Sequence, residues 1–139
     1  VEERLEKQIA LAKNSGAINN KVMQQFNKLF NCLAEIIPEE KPSLLHGDLW
    51  SGNFMTGPDG KAWLIDPAVY YGHREMDLAM TKLFGGFSAE FYESYDETFP
   101  LQSGFRERVD IHNLYPRLVH VNLFGGGYLN EVKNILSRF

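Results

Sequence analysis

The sequence predicts a mostly helical α+β domain carrying one small β-hairpin. Three observations predict it. Apolar residues from Val22 to Ile37 recur at spacings of three and four, the period of a helix that buries one face. The stretch "NFMTGPDGKAWLID", residues 53–66, joins a Gly-Pro-Asp-Gly turn to a run that alternates with β-forming residues, the pattern of a hairpin. After Asp66 helical patterns return and continue to the C-terminus.

Taken in order, "VEERLEKQIALAKNSG" is a first helix, with acids in its opening turn and Gly16 as its stop. A second helix starts from Asn19 or Asn20 as N-cap. It sets Val22, Met23, Phe26, Leu29, Phe30, Leu33, Ile36 and Ile37 on one stripe and closes at Pro38. "PEEKP" is a polar connector, and Ser43 to Leu45 reads as a short extended segment. Beyond the hairpin, "REMDLAMTKLF" ends at Gly85-Gly86, and "SAEFYESYDETF" begins on Ser88 as N-cap and stops before Pro100. "FRERVDIHNLYPRLVHVNLF" is a longer helical pattern containing Pro116, which has no amide hydrogen and predicts a kink or break there. "NEVKNILSRF" is a last short amphipathic helix. No repeat, low-complexity segment or long linker interrupts residues 1–139, so one domain is expected.

Length and composition narrow the function. A chain of 139 residues can bury a real core. With a net charge of −4 and no basic stripe, nucleic acid is disfavoured as a partner. Apolar stretches such as "LVHVNLF" are too short to cross a bilayer, and no signal-peptide pattern opens the chain. A soluble, cytoplasmic protein without a membrane partner is expected. The single Cys32 can form no internal disulfide and lies on the apolar side of the second helix, as a core thiol does. The first residue is Val1 rather than Met, which points to processing or a fragment.

The chemistry concentrates in "LLHGDLWSGNF", residues 44–54. Asn53 opens the first strand of the hairpin and Asp66 closes the second, so antiparallel pairing returns them to each other's neighbourhood. Two such oxygen donors suit a hard cation such as Mg2+, which is usually held by one or two protein groups together with phosphates and water. Asp48 faces the same region and is free to orient a hydroxyl and accept its proton. A base at the attacking hydroxyl and metal ligands at the β- and γ-phosphates are what phosphoryl transfer from ATP requires. His46, Asp48 and Asn53 also reproduce the His-x-Asp-x-x-x-x-Asn spacing of a kinase catalytic loop.

"HGDLWSGNF", "LIDPAVYYGHREMDLAM" and "LFGGF" together resemble the fructosamine kinase (ketosamine kinase) family, in the aminoglycoside phosphotransferase-like branch of the protein-kinase fold. The resemblance runs from about Ser43 to the C-terminus, and the two helices before it suit the start of the same lobe. It implies the C-terminal catalytic lobe of a kinase-like enzyme. Such an enzyme transfers the γ-phosphoryl of ATP to the 3-hydroxyl of a sugar joined to an amine, the first step in repairing glycated protein. Carried over by position, it implies Asp48 as catalytic base, Asn53 and Asp66 as Mg2+ ligands, and Asp77 as a brace for the catalytic-loop backbone. Simple helix N-capping is an equal reading of Asp77. His46 reads as a residue that holds the loop rather than one that moves a proton, and Trp50 as a substrate contact rather than core.

Two departures qualify the match. Many kinase loops carry Lys or His two places after the Asp, where this chain has Trp50. No Gly-rich loop and no "VAIK"-like strand precedes residue 43, so the N-terminal lobe that covers ATP is expected to be missing, and the uncovered lobe is expected to self-associate. Alternative readings are a kinase of the same branch acting on an aminoglycoside or choline-like amine, or a noncatalytic binding lobe. Tyr70, Tyr71, His73 and Arg74 read as surface packing, "GGG" at 125–127 as a helix break, and His112 and His120 as ordinary core or surface histidines.

Overall fold

In the computed structural model, which describes residues 2–139, the chain divides into two compact units, 1–38 with 110–139 and 39–109. The first unit is helical. Helix α1 (Glu2–Asn14) buries Leu5, Ile9 and Ala12, and α2 (Asn20–Ile36) buries Val22, Phe26, Leu29 and Leu33, as their spacing requires. Asn19 caps α2 by accepting a hydrogen bond from the Val22 amide at 3.1 Å. Helices α6 (Leu114–Phe124) and α7 (Gly127–Leu136) add Leu114, Leu118, Val121, Val132, Ile135 and Leu136 to one apolar core. Cys32 is half-buried against that core.

The second unit holds four short strands, two whole helices and the first residues of a third. Strand β1 (Ser43–Leu45) pairs antiparallel with β4 (Tyr70–Gly72), Leu45 opposite Tyr70. Strands β2 (Phe54–Thr56) and β3 (Ala62–Leu64) form the expected hairpin, with Phe54 opposite Leu64. The β1–β4 sheet is an addition to the single hairpin expected. Its two strands of three residues are separated by 24 intervening residues, 46–69, and three residues carry too little alternation to announce a strand. Helices α3 (Glu75–Leu83) and α4 (Ala89–Thr98) follow, tied by a 2.9 Å hydrogen bond between the Thr81 and Tyr92 hydroxyls.

The long pattern around Pro116 is indeed broken, but ahead of the proline. Helix α5 (Phe105–His112) stops at His112, Asn113 occupies the junction, and Pro116 sits in the first turn of α6. A proline there costs little, because the amide it lacks would have had no partner within the helix. No described helix is long and apolar enough to cross a membrane.

Candidate active site

The site is built on the loop that leaves β1. Leu45 is buried and anchors the strand. The next two residues present their amides to one carboxylate: Asp77 of α3 accepts from His46 N at 2.7 Å and Gly47 N at 2.9 Å. Gly47 has φ 84°, and a Cβ there would run into the Ala68 carbonyl oxygen. Only glycine meets both demands at once. The Ala68 amide in turn donates to His46 O at 2.8 Å, so residues 46–47 are held on two sides.

The His46 ring locks the loop a second time. The Asp48 amide donates to His46 Nδ1 at 3.3 Å, and Nε2 lies 3.0 Å from the Ile65 carbonyl oxygen. An amide can only donate and a carbonyl can only accept, so both bonds form together in the neutral Nε2–H tautomer. The imidazole thereby links the loop to the end of the hairpin.

Asn53 ends a single 3-10 turn (Ser51–Asn53) and is 6% exposed. Its Nδ2 donates to the Asp48 carbonyl at 2.9 Å and to Asp48 Oδ2 at 3.0 Å. Both donors are used, and among the described residues nothing donates to its Oδ1. On the opposite strand, the Ile65 amide donates to Asn53 O at 3.0 Å. Residue 65 is therefore the one directly across from Asn53, and Asp66 lies one step farther. In a regular strand that step would turn its side chain to the other face. Asp66 instead has φ 53°, the one non-glycine residue among those described in the left-handed region, so strand alternation stops there. Its exposed carboxylate accepts no hydrogen bond from any described residue.

The whole chain, residues 1–139, matches the fructosamine kinase family model. This chain belongs to the fructosamine kinase family. It is 41% identical over 139 residues to the "Probable ketoamine kinase" of Enterococcus faecium, covering 99% of this chain and 50% of that protein. It is 48% identical over 99 residues to a protein-ribulosamine 3-kinase of Oryza sativa subsp. indica, covering 71% of this chain and 29% of that protein. A crystal structure of an inferred fructosamine-3-kinase from Thermobifida fusca superposes with a TM-score of 0.86 at 38% identity, covering 94% of this chain and 46% of the other. The chain thus spans about half the length of the curated relatives it matches.

Trp50, in this fructosamine kinase-family chain, is 38% exposed and lies edge-on to Phe84, with ring centroids 5.9 Å apart. On the hairpin, Met55 is 49% exposed and Trp63 50%. Arg74 is not a surface residue. It is 4% exposed, forks onto Glu40 at 2.8 and 3.1 Å, and donates to the Phe99 and Pro100 carbonyls at 2.7 Å each. Its neighbour Glu75, fully buried, accepts a second fork from Arg108 at 2.8 and 2.6 Å. Hydrogen bonding to Glu40 raises the Arg74 pKa and, reciprocally, holds the Glu40 carboxyl below its ordinary range. These two clamps fix the start of α3, the helix that presents Asp77. Nothing in the sequence marks them, because their partners lie more than 30 residues apart.

Proposed function

We propose that the chain is the catalytic lobe of a kinase-like, ATP-dependent phosphotransferase that phosphorylates a sugar hydroxyl of a ketosamine, free or carried on protein. The observation that carries the reading is the Asp48–Asn53 pair. One oxygen of the Asp48 carboxylate is held by Asn53 Nδ2, and the loop beneath it is tied by Asp77, His46 and Gly47, so the carboxylate is positioned before substrate arrives. Preorganisation of this kind is the main contribution a protein makes to phosphoryl transfer.

In this reading Asp48 accepts the proton of the acceptor hydroxyl as that oxygen bonds to the γ-phosphorus. The bond from the γ-phosphorus to its bridging oxygen breaks, and ADP leaves with the electron pair. Asn53 Oδ1 and the Asp66 carboxylate are oxygen donors left unengaged, a set that fits Mg2+ better than a softer ion. When bound, the cation neutralises charge on the β- and γ-phosphates. His46 and Asp77 position the loop without touching substrate, and Trp50 packs against the acceptor. Support for the acceptor class comes from family membership and from relatives named ketoamine kinase and protein-ribulosamine 3-kinase.

The test is ADP release by the native protein, offered fructosamines, ribulosamines and aminoglycosides in turn with Mg2+ and ATP. Turnover with the ketosamines is the expected outcome. Turnover with aminoglycosides alone would overturn the ketosamine as acceptor.

A further inference from the structure

Two exposed rings stand together, one of them on the loop that carries Asp48, and the second is followed by two glycines of positive φ. Phe84, immediately after α3, is 51% exposed and meets Trp50 with ring planes 73° apart. Behind it, Gly85 and Gly86 have φ values of 69° and 94°, conformations that side-chain-bearing residues rarely adopt. Gly86 presses on the catalytic loop: a Cβ there would stand 2.5 Å from Ser51 Cβ and 2.7 Å from Ser51 Oγ. Phe87 then packs between Phe54 of the hairpin, at 5.9 Å, and Phe91 of α4, at 4.9 Å. The segment from 84 to 87 is therefore fastened to the loop at one point and to the hairpin at another. Exposed apolar rings so firmly placed form a surface ready for a ligand, with little side-chain freedom left to lose on binding.

We propose that Phe84 is a specificity-determining residue for the amine portion of the acceptor, packing its methylene chain while Trp50 packs the sugar. The inference rests on the ketosamine kinase reading and assigns the two rings different parts of the substrate. Trp50 lies on the same loop as Asp48, two residues away, so it is the ring nearer the hydroxyl that loses its proton. Phe84 meets that loop at Trp50, with ring centroids 5.9 Å apart. With the reacting hydroxyl at Asp48, the sugar lies against Trp50 and whatever the sugar is attached to extends over Phe84. Near-perpendicular planes offer a corner, which suits a ring followed by a flexible chain. Both rings open to solvent, so the chain can continue into a peptide.

The experiment compares two acceptors in the native protein, the ketosamine of methylamine and that of Nα-acetyl-lysine, which differ in their run of methylenes. The parent should favour the longer one. Phe84→Ala should lower the long-to-short ratio of kcat/KM about tenfold, the worth of about two buried methylenes, with the loss in KM. Trp50→Ala should weaken both acceptors in parallel and leave the ratio in place. Phe84→Leu, which keeps an apolar side chain, should lower the ratio by less, and it decides the matter if the alanine variant does not fold. An unmoved ratio in a folded Phe84 variant, or an equal fall for both acceptors, overturns the assignment. A parent inactive on both ketosamines would instead refute the functional reading itself, whereas an active parent with an unmoved ratio refutes this inference alone.

Discussion

At the scale of single residues, the site separates into groups that would act on substrate and groups that hold them. Asp48→Asn keeps the shape of the side chain and removes its ability to take a proton. The loop ties at His46 and Gly47 do not involve that carboxylate, so the fold should persist while kcat falls roughly 10²–10⁴-fold in the native protein. Steady-state kinetics would check this, and an unchanged kcat would remove Asp48 from the mechanism. Asp66→Ala should weaken Mg2+ binding more than Asn53→Ala, because a carboxylate contributes charge and an amide only a dipole. Raising Mg2+ should partly rescue the Asn53 variant. Metal titrations of both variants that overlay the parent would show that the hairpin end holds no metal.

At the scale of elements, β1, the hairpin and α3 meet at Gly47 and His46. Gly47→Ala would force a side chain into the left-handed region and against the Ala68 carbonyl, so a loss of roughly 1–3 kcal/mol is expected from backbone strain alone. Thermal melts would measure it. The start of α3 depends on its two buried clamps. Arg108→Met removes the fork that the fully buried Glu75 accepts, which should cost about 3–5 kcal/mol. Replacing both residues with apolar ones of similar volume should cost much less, since no charge is then left unpaired. A double variant as unstable as the single one would show that the pair contributes packing rather than charge neutralisation. Glu40 adds a pH dependence. Hydrogen bonding to Arg74 lowers its folded-state pKa below the ordinary 4.5, so its stabilisation is present above that value and is lost as pH falls below it. Glu40→Gln should flatten the acid side of a melting temperature against pH curve, and a curve that keeps its parent slope would assign the acid sensitivity to other groups.

At the scale of the molecule, the second unit carries more exposed apolar surface than a solitary helical unit needs. Leu44, Val69 and Tyr71 are 64%, 63% and 73% exposed, and Trp63, Leu64 and Ile65 add 50%, 53% and 40%. Apolar side chains exposed in this number favour burial against a partner. The 139-residue chain on its own should therefore self-associate, which sedimentation velocity would detect as a concentration-dependent shift. It should also turn over weakly, because metal ligands without further contacts cannot position a triphosphate. A monodisperse chain with robust turnover would overturn both expectations.

What the sequence determined by itself follows from local rules. Helices α1, α2 and α4 could be read from periodicity and stop signals, the hairpin from its Gly-Pro-Asp-Gly turn, and the family resemblance from the stretches "HGDLWSGNF", "LIDPAVYYGHREMDLAM" and "LFGGF". The helices and the hairpin turn depend on residues close to one another in the chain, and the resemblance on contiguous stretches. The tertiary structure decided the rest. It paired β1 with β4 across 24 intervening residues, since strands this short take their stability from a distant partner. It turned Asp77 away from capping its own helix and onto the His46 and Gly47 amides, 31 and 30 residues earlier. It buried Arg74, which reads as surface packing, and with it Glu75 and Arg108, because a charge can leave water only when a partner replaces its hydration, and no local pattern records where that partner will stand.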